Sequence, residues 1–373
     1  MKKILFITWT RAEYWILEPL ILKFKSDRDF DVKLLATWMH TLEKYWKTIE
    51  YIKWRCNVDY TVSISERWTQ LSWLWEEIIW IENAIRWESF DYIFVLWDRD
   101  EAFAWAIVWS HLNIPVAHIH WWDTTWHIPD EYIRNSITKM SLLHFVACKQ
   151  HYEKVKSMWE NDKLIFDVWA LCFDWIEWID LFDRQYLAQN LWLDLNKKWI
   201  LTVVHPSITD CNKYSFDDQA SIFDYLPNNT ENIVIYPNSD TWTDVFVKKI
   251  ESLKWNNFHC IKNLDRKVYL SLFKSVNLMI WNSSSWIVES ESFTTPTINI
   301  WNRQKWRLHS KRVFDVSYDK NEVTNLINHL LENENVIRST KIERVYYKND
   351  VSWNIINVIK TINPTEIFSF KFL

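Results

Sequence analysis

The sequence predicts an α/β protein of two Rossmann-like domains facing a cleft. Three observations carry that expectation. Apolar strand patterns alternate with helical periodicity from Lys3 to Val168, and the alternation starts afresh at Trp199. The 373 residues suit two domains of roughly 150–200 residues each. Several strands run straight into short polar turns at helix starts, the junctions where open parallel sheets bind ligands. The expected division is an N-terminal domain at 1–173, a C-terminal domain at 174–350, and a helix and tail at 351–373 that pack back on the first.

Lys3–Thr8 is the first strand, and Ile16, Leu17, Leu20, Ile21 and Phe24 then recur at helical spacing. The turn between them holds Arg11, which either faces a ligand crevice or is a solvated turn residue. Asp31–Ala36 and Val58–Ile64 read as the next strands, and Thr69–Arg86 as an amphipathic helix. Tyr92–Leu96 leads directly into Asp98, Arg99, Asp100 and Glu101, then a helix Ala102–His111. Asp98 suits an acid–base role, or it is the N-cap of that helix.

Ile114–Ile119 is a fifth strand, followed by the polar stretch His118–His127. His118 and His120 share a strand face, with Asp123 close by. No cysteine or helical histidine pair completes a ligand set, so no metal is expected. A helix from Pro129 sets Asp130 and Arg134 one turn apart, a spacing that a purely structural pair also has. Leu142–Ala147 and Lys163–Val168 finish this half, and Asp174–Asp180 reads as the crossing to the second.

In the second half, Trp199–Val204 ends at His205-Pro206, mirroring the place of Asp98. Asn232–Tyr236, Phe258–Ile261, Val276–Ile280, Thr297–Ile300 and Val313–Val316 are its further strands. Helices are expected at Asp244–Lys254, Lys267–Lys274, Asn321–Glu332 and Ser352–Thr361, with an aromatic, apolar tail at Thr365–Leu373. His205 either orients a ligand or is a packed strand-end histidine. The stretch after Val276–Ile280 is the most informative in the chain. Asn282, Ser283, Ser284 and Ser285 open a helix carrying Glu289 and Glu291. Free N–H groups, the positive end of the helix dipole and small hydroxyls can there meet one anion, although serine N-capping gives the same pattern.

Composition carries one anomaly. The chain has no glycine and 29 tryptophans, where ordinary usage gives glycine at about 7%. Trp97, Trp121, Trp122, Trp242, Trp281 and Trp286 occupy turns and strand ends, where backbone freedom or close ligand approach favours glycine. The expectation is that tryptophan stands at glycine positions, with Trp199 the best candidate for a native indole, and that the chain as written is inactive. The 17% aromatic content is therefore no sign of stacking surfaces. Net charge −5 and a pI near 6.1 argue against nucleic acid. Five scattered cysteines fit reduced thiols, and no apolar run is long enough to span a membrane, so a soluble, cytoplasmic protein is expected.

With tryptophan read as glycine, blocks in order along the chain resemble the hydrolysing UDP-N-acetylglucosamine 2-epimerases of the sialic-acid pathway. They are G-T-R-A-E-Y-G from Trp9, T-G-M-H at Thr37–His40 and G-D-R-D-E-A at Trp97–Ala102, then H-I-H-G-G-D from His118 and D-E-Y-I-R-N-S-I-T-K from Asp130. I-Y-P-N-S-D-T-G-T at Ile235–Thr243, G-N-S-S-S-G-I-V-E at Trp281–Glu289 and N-I-G-N-R-Q at Asn299–Gln304 close the set.

The resemblance implies a glycosyltransferase-B-like fold, a UDP-sugar substrate, no cofactor and a homo-oligomer, dimer or tetramer. It assigns Ser283, Ser284, Ser285 and the helix start to the diphosphate, and Glu289 to the uridine ribose. Arg11 and Arg303 go to the nucleotide and phosphates, and Asn238 is a further substrate-binding residue. Asp98, Asp130, Glu131 and His205 surround the sugar as catalytic groups, with Arg99, His120, Asp123 and Arg134 as binding groups. The implied reaction eliminates UDP to a 2-acetamidoglucal and adds water with inverted C2, releasing N-acetylmannosamine. His120 and Asp123 depart from the glutamates common there, which opens a 2,4-diacetamido-trideoxyhexose nucleotide, UDP- or GDP-linked, as the alternative substrate. Non-hydrolysing 2-epimerases rank third. A catalytically silent nucleotide-sugar binder would need the serine turn but not Asp98 and Asp130 together.

Overall fold

The computed structural model describes the chain apart from residues 44–47, 64–69, 121–127, 238–241, 254–256, 263, 284–287, 301–306, 342–343 and 372–373. Two compact units emerge. The first comprises Met1–Asp123, Ile128–Glu177 and Lys348–Leu373, and the second Trp178–Tyr347.

The first unit holds a parallel sheet of β1 (Lys2–Thr8), β2 (Phe30–Thr37), β3 (Tyr60–Val62), β4 (Tyr92–Leu96), β5 (Val116–His120), β6 (Leu143–Val146) and β7 (Ile165–Asp167). Their order is β3-β2-β1-β4-β5-β6-β7. Every residue of β4 and β6 is buried, as strands covered on both faces require. The second unit holds β8 (Lys198–Val203), β9 (Thr230–Ile235), β10 (Phe258–Ile261), β11 (Leu278–Trp281), β12 (Thr297–Ile300) and β13 (Val313–Val316). They too are parallel, in the order β10-β9-β8-β11-β12-β13. The chain reverses direction of growth between β1 and β4 in one sheet and between β8 and β11 in the other. Those switch points are where open α/β sheets hold ligands.

The crossing between the two units lies within Asp174–Asp180, at Glu177/Trp178, and it begins inside the helix Cys172–Trp178. Asp174 is buried there, accepting hydrogen bonds from Val351 N at 2.9 Å and Ser352 N at 2.7 Å and pairing with Lys23 at 3.4 Å. It thereby caps the helix Val351–Thr361, whose N-cap Asp350 has no capping side-chain bond of its own. Two local expectations are corrected: the tail is a helix, Pro364–Lys371, and Asp98 is not an N-cap, since the helix runs Asp100–His111 with Arg99 at that position.

The tail helix is fastened through its last turn. Lys371 Nζ donates to Ser141 O and to Glu160 at 2.5 Å each, and Glu160 also takes Lys139 at 2.7 Å and His144 Nε2 at 3.1 Å. Burial alone would raise the Glu160 carboxyl, but the His144 bond and the two lysines pull it down to about 2. The folded state thus binds this proton less readily than the unfolded chain, whose ordinary value is 4.5. Stability from Glu160 is full above that ordinary value and is lost as pH falls toward the folded one. Glu160→Gln should cost roughly 3–5 kcal/mol at neutral pH by leaving the largely buried Lys371 ammonium uncompensated. The difference from the parent should shrink in acid, as read by denaturant titration at several pH values. A gap that stays constant with pH would contradict this role.

Backbone conformation bears on the tryptophan anomaly. Among the described residues, positive φ occurs at Trp38, Trp97, Asn113, Trp159, Trp169, Trp192, Trp242 and Asp350. Asn and Asp tolerate the left-handed region; a bulky indole does so at a cost. Trp159 and Trp192 follow helix ends and leave their rings 92% and 86% exposed. By contrast Trp281, the last residue of β11, has no positive φ, so of the two reasons given for that position the left-handed backbone does not apply. Trp121, Trp122 and Trp286 lie outside the described residues. Trp199 is distinctive: it is buried in β8, its indole N–H donates 2.8 Å to Asp194 O, and the Arg184 guanidinium stacks 3.8 Å from its ring. Trp9 and Trp109 are equally buried, yet their indole nitrogens have no hydrogen-bond partner. No helix among the described residues is long and apolar enough to cross a membrane.

Candidate active site

In the first unit the chemistry gathers at the carboxyl ends of β1, β2, β4 and β5. Arg134, on the helix Ile128–Met140, is 1% exposed and organises the group. Its Nε and Nη2 donate to Asp98 Oδ2 at 3.1 and 2.5 Å, and its Nη1 to Glu131 Oε1 at 2.7 Å. Asp98 comes from the turn after β4 and Glu131 from one helical turn before Arg134, so one guanidinium holds two carboxylates from separate elements. Both remain accessible, with side chains 19% and 20% exposed. Lys154 lies 3.5 Å from Glu131 Oε2, adding a second cation. Asp130 is half-buried at the start of the same helix.

The turn that aims Asp98 is itself braced. His118, buried in β5, donates through Nε2 to Trp97 O at 2.9 Å, and Thr138 Oγ1 donates to Arg134 O at 2.9 Å. Trp97 carries φ 69°, so the backbone turns sharply just before the carboxylate. Arg99 pairs with buried Glu101 at 3.3 Å and lies over the Trp38 ring at 5.3 Å. Arg11 sits 4.7 Å from the Trp15 ring at the start of the helix Arg11–Ser26.

Residues that sequence reasoning did not single out complete this edge. His40, closing the short helical turn Trp38–His40 after β2, is buried between Thr8 Oγ1 at 2.9 Å and Thr48 Oγ1 at 2.6 Å, and burial lowers it to about 3, so its imidazole is neutral. Glu13 closes a capping box with Thr10, and burial raises its carboxyl to about 8 despite bonds from Thr8, Thr10 and Trp9. Burial likewise raises Glu77 and Glu101. The T-x-M-H and T-R-A-E blocks contained both: the capping-box spacing Thr10-x-x-Glu13 could have found Glu13, whereas no local spacing connects His40 to Thr8 and Thr48.

The second unit carries its group at the ends of β8 and β11. His205 is buried just past β8, and its backbone is bonded by the Asn282 side chain: His205 N to Asn282 Oδ1 at 2.8 Å and Asn282 Nδ2 to His205 O at 2.8 Å. Ser283, next in the chain, is half-buried. Glu289 is 1% exposed and clasped by Arg266, through Nη1 at 3.3 Å and through Nη2. Arg266 begins the helix Arg266–Ser275 and was not anticipated. Of the remaining expected residues, Asp123, Asn238, Ser284, Ser285 and Arg303 lie outside the described residues, as does the His120 side chain.

A profile of the UDP-N-acetylglucosamine 2-epimerase family matches residues 22–360. The chain belongs to that family. Among its relatives, the polysialic acid biosynthesis protein P7 of Escherichia coli is 29% identical, covering 100% of this chain and 97% of its own. The UDP-N,N'-diacetylbacillosamine 2-epimerase (hydrolyzing) of Legionella pneumophila is also 29% identical, over 86% of each chain. Among solved structures, the UDP-GlcNAc 2-epimerase of Methanocaldococcus jannaschii in complex with UDP-GlcNAc and UDP superposes with a TM-score of 0.79. It is 19% identical and covers 96% of this chain and 99% of that one. At that identity the likeness speaks for the fold, the glycosyltransferase-B-like pairing of Rossmann-like units that the sequence predicted.

Proposed function

We propose that this family member is a hydrolysing 2-epimerase of UDP-N-acetylglucosamine, releasing UDP and N-acetylmannosamine. The observation that supports this most is the pair of carboxylates, Asp98 and Glu131, held by buried Arg134 at the ligand-binding edge of the sheet. The C2 proton beside an acetamido carbon is weakly acidic, so its removal needs a positioned base. A guanidinium between two carboxylates fixes the position of both. In this reading Asp98, Glu131 and Asp130 serve the proton transfers and His205 the sugar. Ser283 and its following serines take the diphosphate, whose developing charge the helix start and arginines stabilise as UDP leaves. Water then adds to the 2-acetamidoglucal with inverted configuration at C2.

The Legionella relative's name supports a second substrate, a UDP-linked 2,4-diacetamido-trideoxyhexose, and His120 and Asp123 are the departures that favour it. The two are separated by giving both nucleotide sugars to the full-length chain with glycine at its tryptophan positions and measuring free UDP. Release from the N-acetylglucosamine nucleotide supports the first substrate. Release from the diacetamido compound alone supports the second, and release from neither overturns the activity.

A further inference from the structure

Beyond β8 the chain continues as Val204, His205, Pro206 and Ser207, all buried and none part of a strand. Buried irregular backbone must find hydrogen-bond partners, and Pro206 has no N–H to contribute. Two fully buried side-chain amides supply them. Asn282 takes both polar groups of His205 at 2.8 Å each. Gln219 Oε1 accepts from Ser207 N at 2.8 Å, and its Nε2 donates to Ser207 O at 2.9 Å and Tyr214 O at 3.1 Å.

The arrangement extends the sheet by side chains. β11 pairs with β8 as far as Trp281 opposite Val203, and the residue after β11, Asn282, continues the pairing with its side-chain amide in place of a peptide group. Gln219 holds the other end of the same short segment. The His205 Cα–Cβ direction is therefore set from both sides.

We propose that Asn282 and Gln219 are positioning residues that present the His205 imidazole to substrate. This rests on the role given to His205 above. Only an amide offers a donor and an acceptor in one plane at this site. A carboxylate keeps the acceptor but sets an anion against a buried carbonyl, and an apolar isostere leaves both backbone groups unpaired. A displaced catalytic-edge group costs turnover rather than substrate affinity, on the order of 10²-fold for a shift of about 1 Å.

The test is a double-mutant cycle in the full-length glycine-containing chain, with kcat, KM and melting temperature read for each variant. Asn282→Asp should lower kcat on the order of 10²-fold with KM nearly unchanged. In a His205→Ala background the same change should cost no further turnover. Gln219→Glu, acting from the other end, should show the same coupling, and it serves if Asn282→Asp does not fold. Equal losses in both backgrounds, or no loss of kcat, overturn the positioning role while leaving the function intact. Undiminished turnover by His205→Ala alone overturns the role given to His205 and this inference with it.

Discussion

Asp98→Asn is expected to lower turnover by roughly 10²–10⁴-fold, the usual contribution of a positioned proton-transfer group. Its affinity for UDP should stay within about twofold, because the change removes an interaction made only along the reaction path. Asparagine keeps an oxygen for the Arg134 Nε and Nη2 donors, so the brace between β4 and the helix Ile128–Met140 survives in part. Glu289→Gln gives the contrasting result. It weakens the buried clasp with Arg266 in the second unit, and UDP binding should fall roughly tenfold or more, with the bound enzyme still turning over. Calorimetric UDP titration alongside kcat distinguishes them. Equal loss of UDP affinity in both variants would show that Asp98 has been misassigned.

Replacing tryptophan by glycine at Trp38, Trp97, Trp159, Trp169, Trp192 and Trp242 is expected to have the largest effect on stability. Each has φ between 47° and 74°, a region that costs a bulky L-residue about 1–2 kcal/mol and glycine nothing. Summed over these positions the strain reaches about 6–12 kcal/mol, comparable with the roughly 5–15 kcal/mol that holds a domain folded. The chain as written should therefore show no sharp thermal transition, and the glycine version a cooperative one that UDP raises. Trp199→Gly should act oppositely and destabilise, since it removes a satisfied indole from β8 and the face on which Arg184 stacks. A sharp, UDP-sensitive transition in the chain as written would mean that the tryptophans are native.

The elements legible in the sequence were those whose signal is local. Tyr92–Leu96, Phe258–Ile261, Thr297–Ile300 and Val313–Val316 are apolar runs bounded by turn residues, and they are strands with those same limits. The tail Pro364–Lys371 was not legible as a helix. Its Phe and Ile residues carry no clear helical stripe, and its anchoring comes from Lys371 reaching Glu160. Site residues were legible as types at strand ends, but their partners were not. Arg134 meets Asp98 from 36 positions away and Arg266 meets Glu289 from 23, separations that no helical or strand period encodes. His40 stayed hidden for the same reason: its meaning lies in Thr8 and Thr48, which only the folded sheet edge brings to its two nitrogens.

The most direct measurement runs the glycine-containing chain with UDP-N-acetylglucosamine in D2O and analyses the sugar by mass spectrometry and NMR. Elimination followed by water addition predicts free UDP and free N-acetylmannosamine carrying deuterium at C2. Sugar still joined to UDP, or released with its original C2 hydrogen and configuration, would contradict a hydrolysing 2-epimerase.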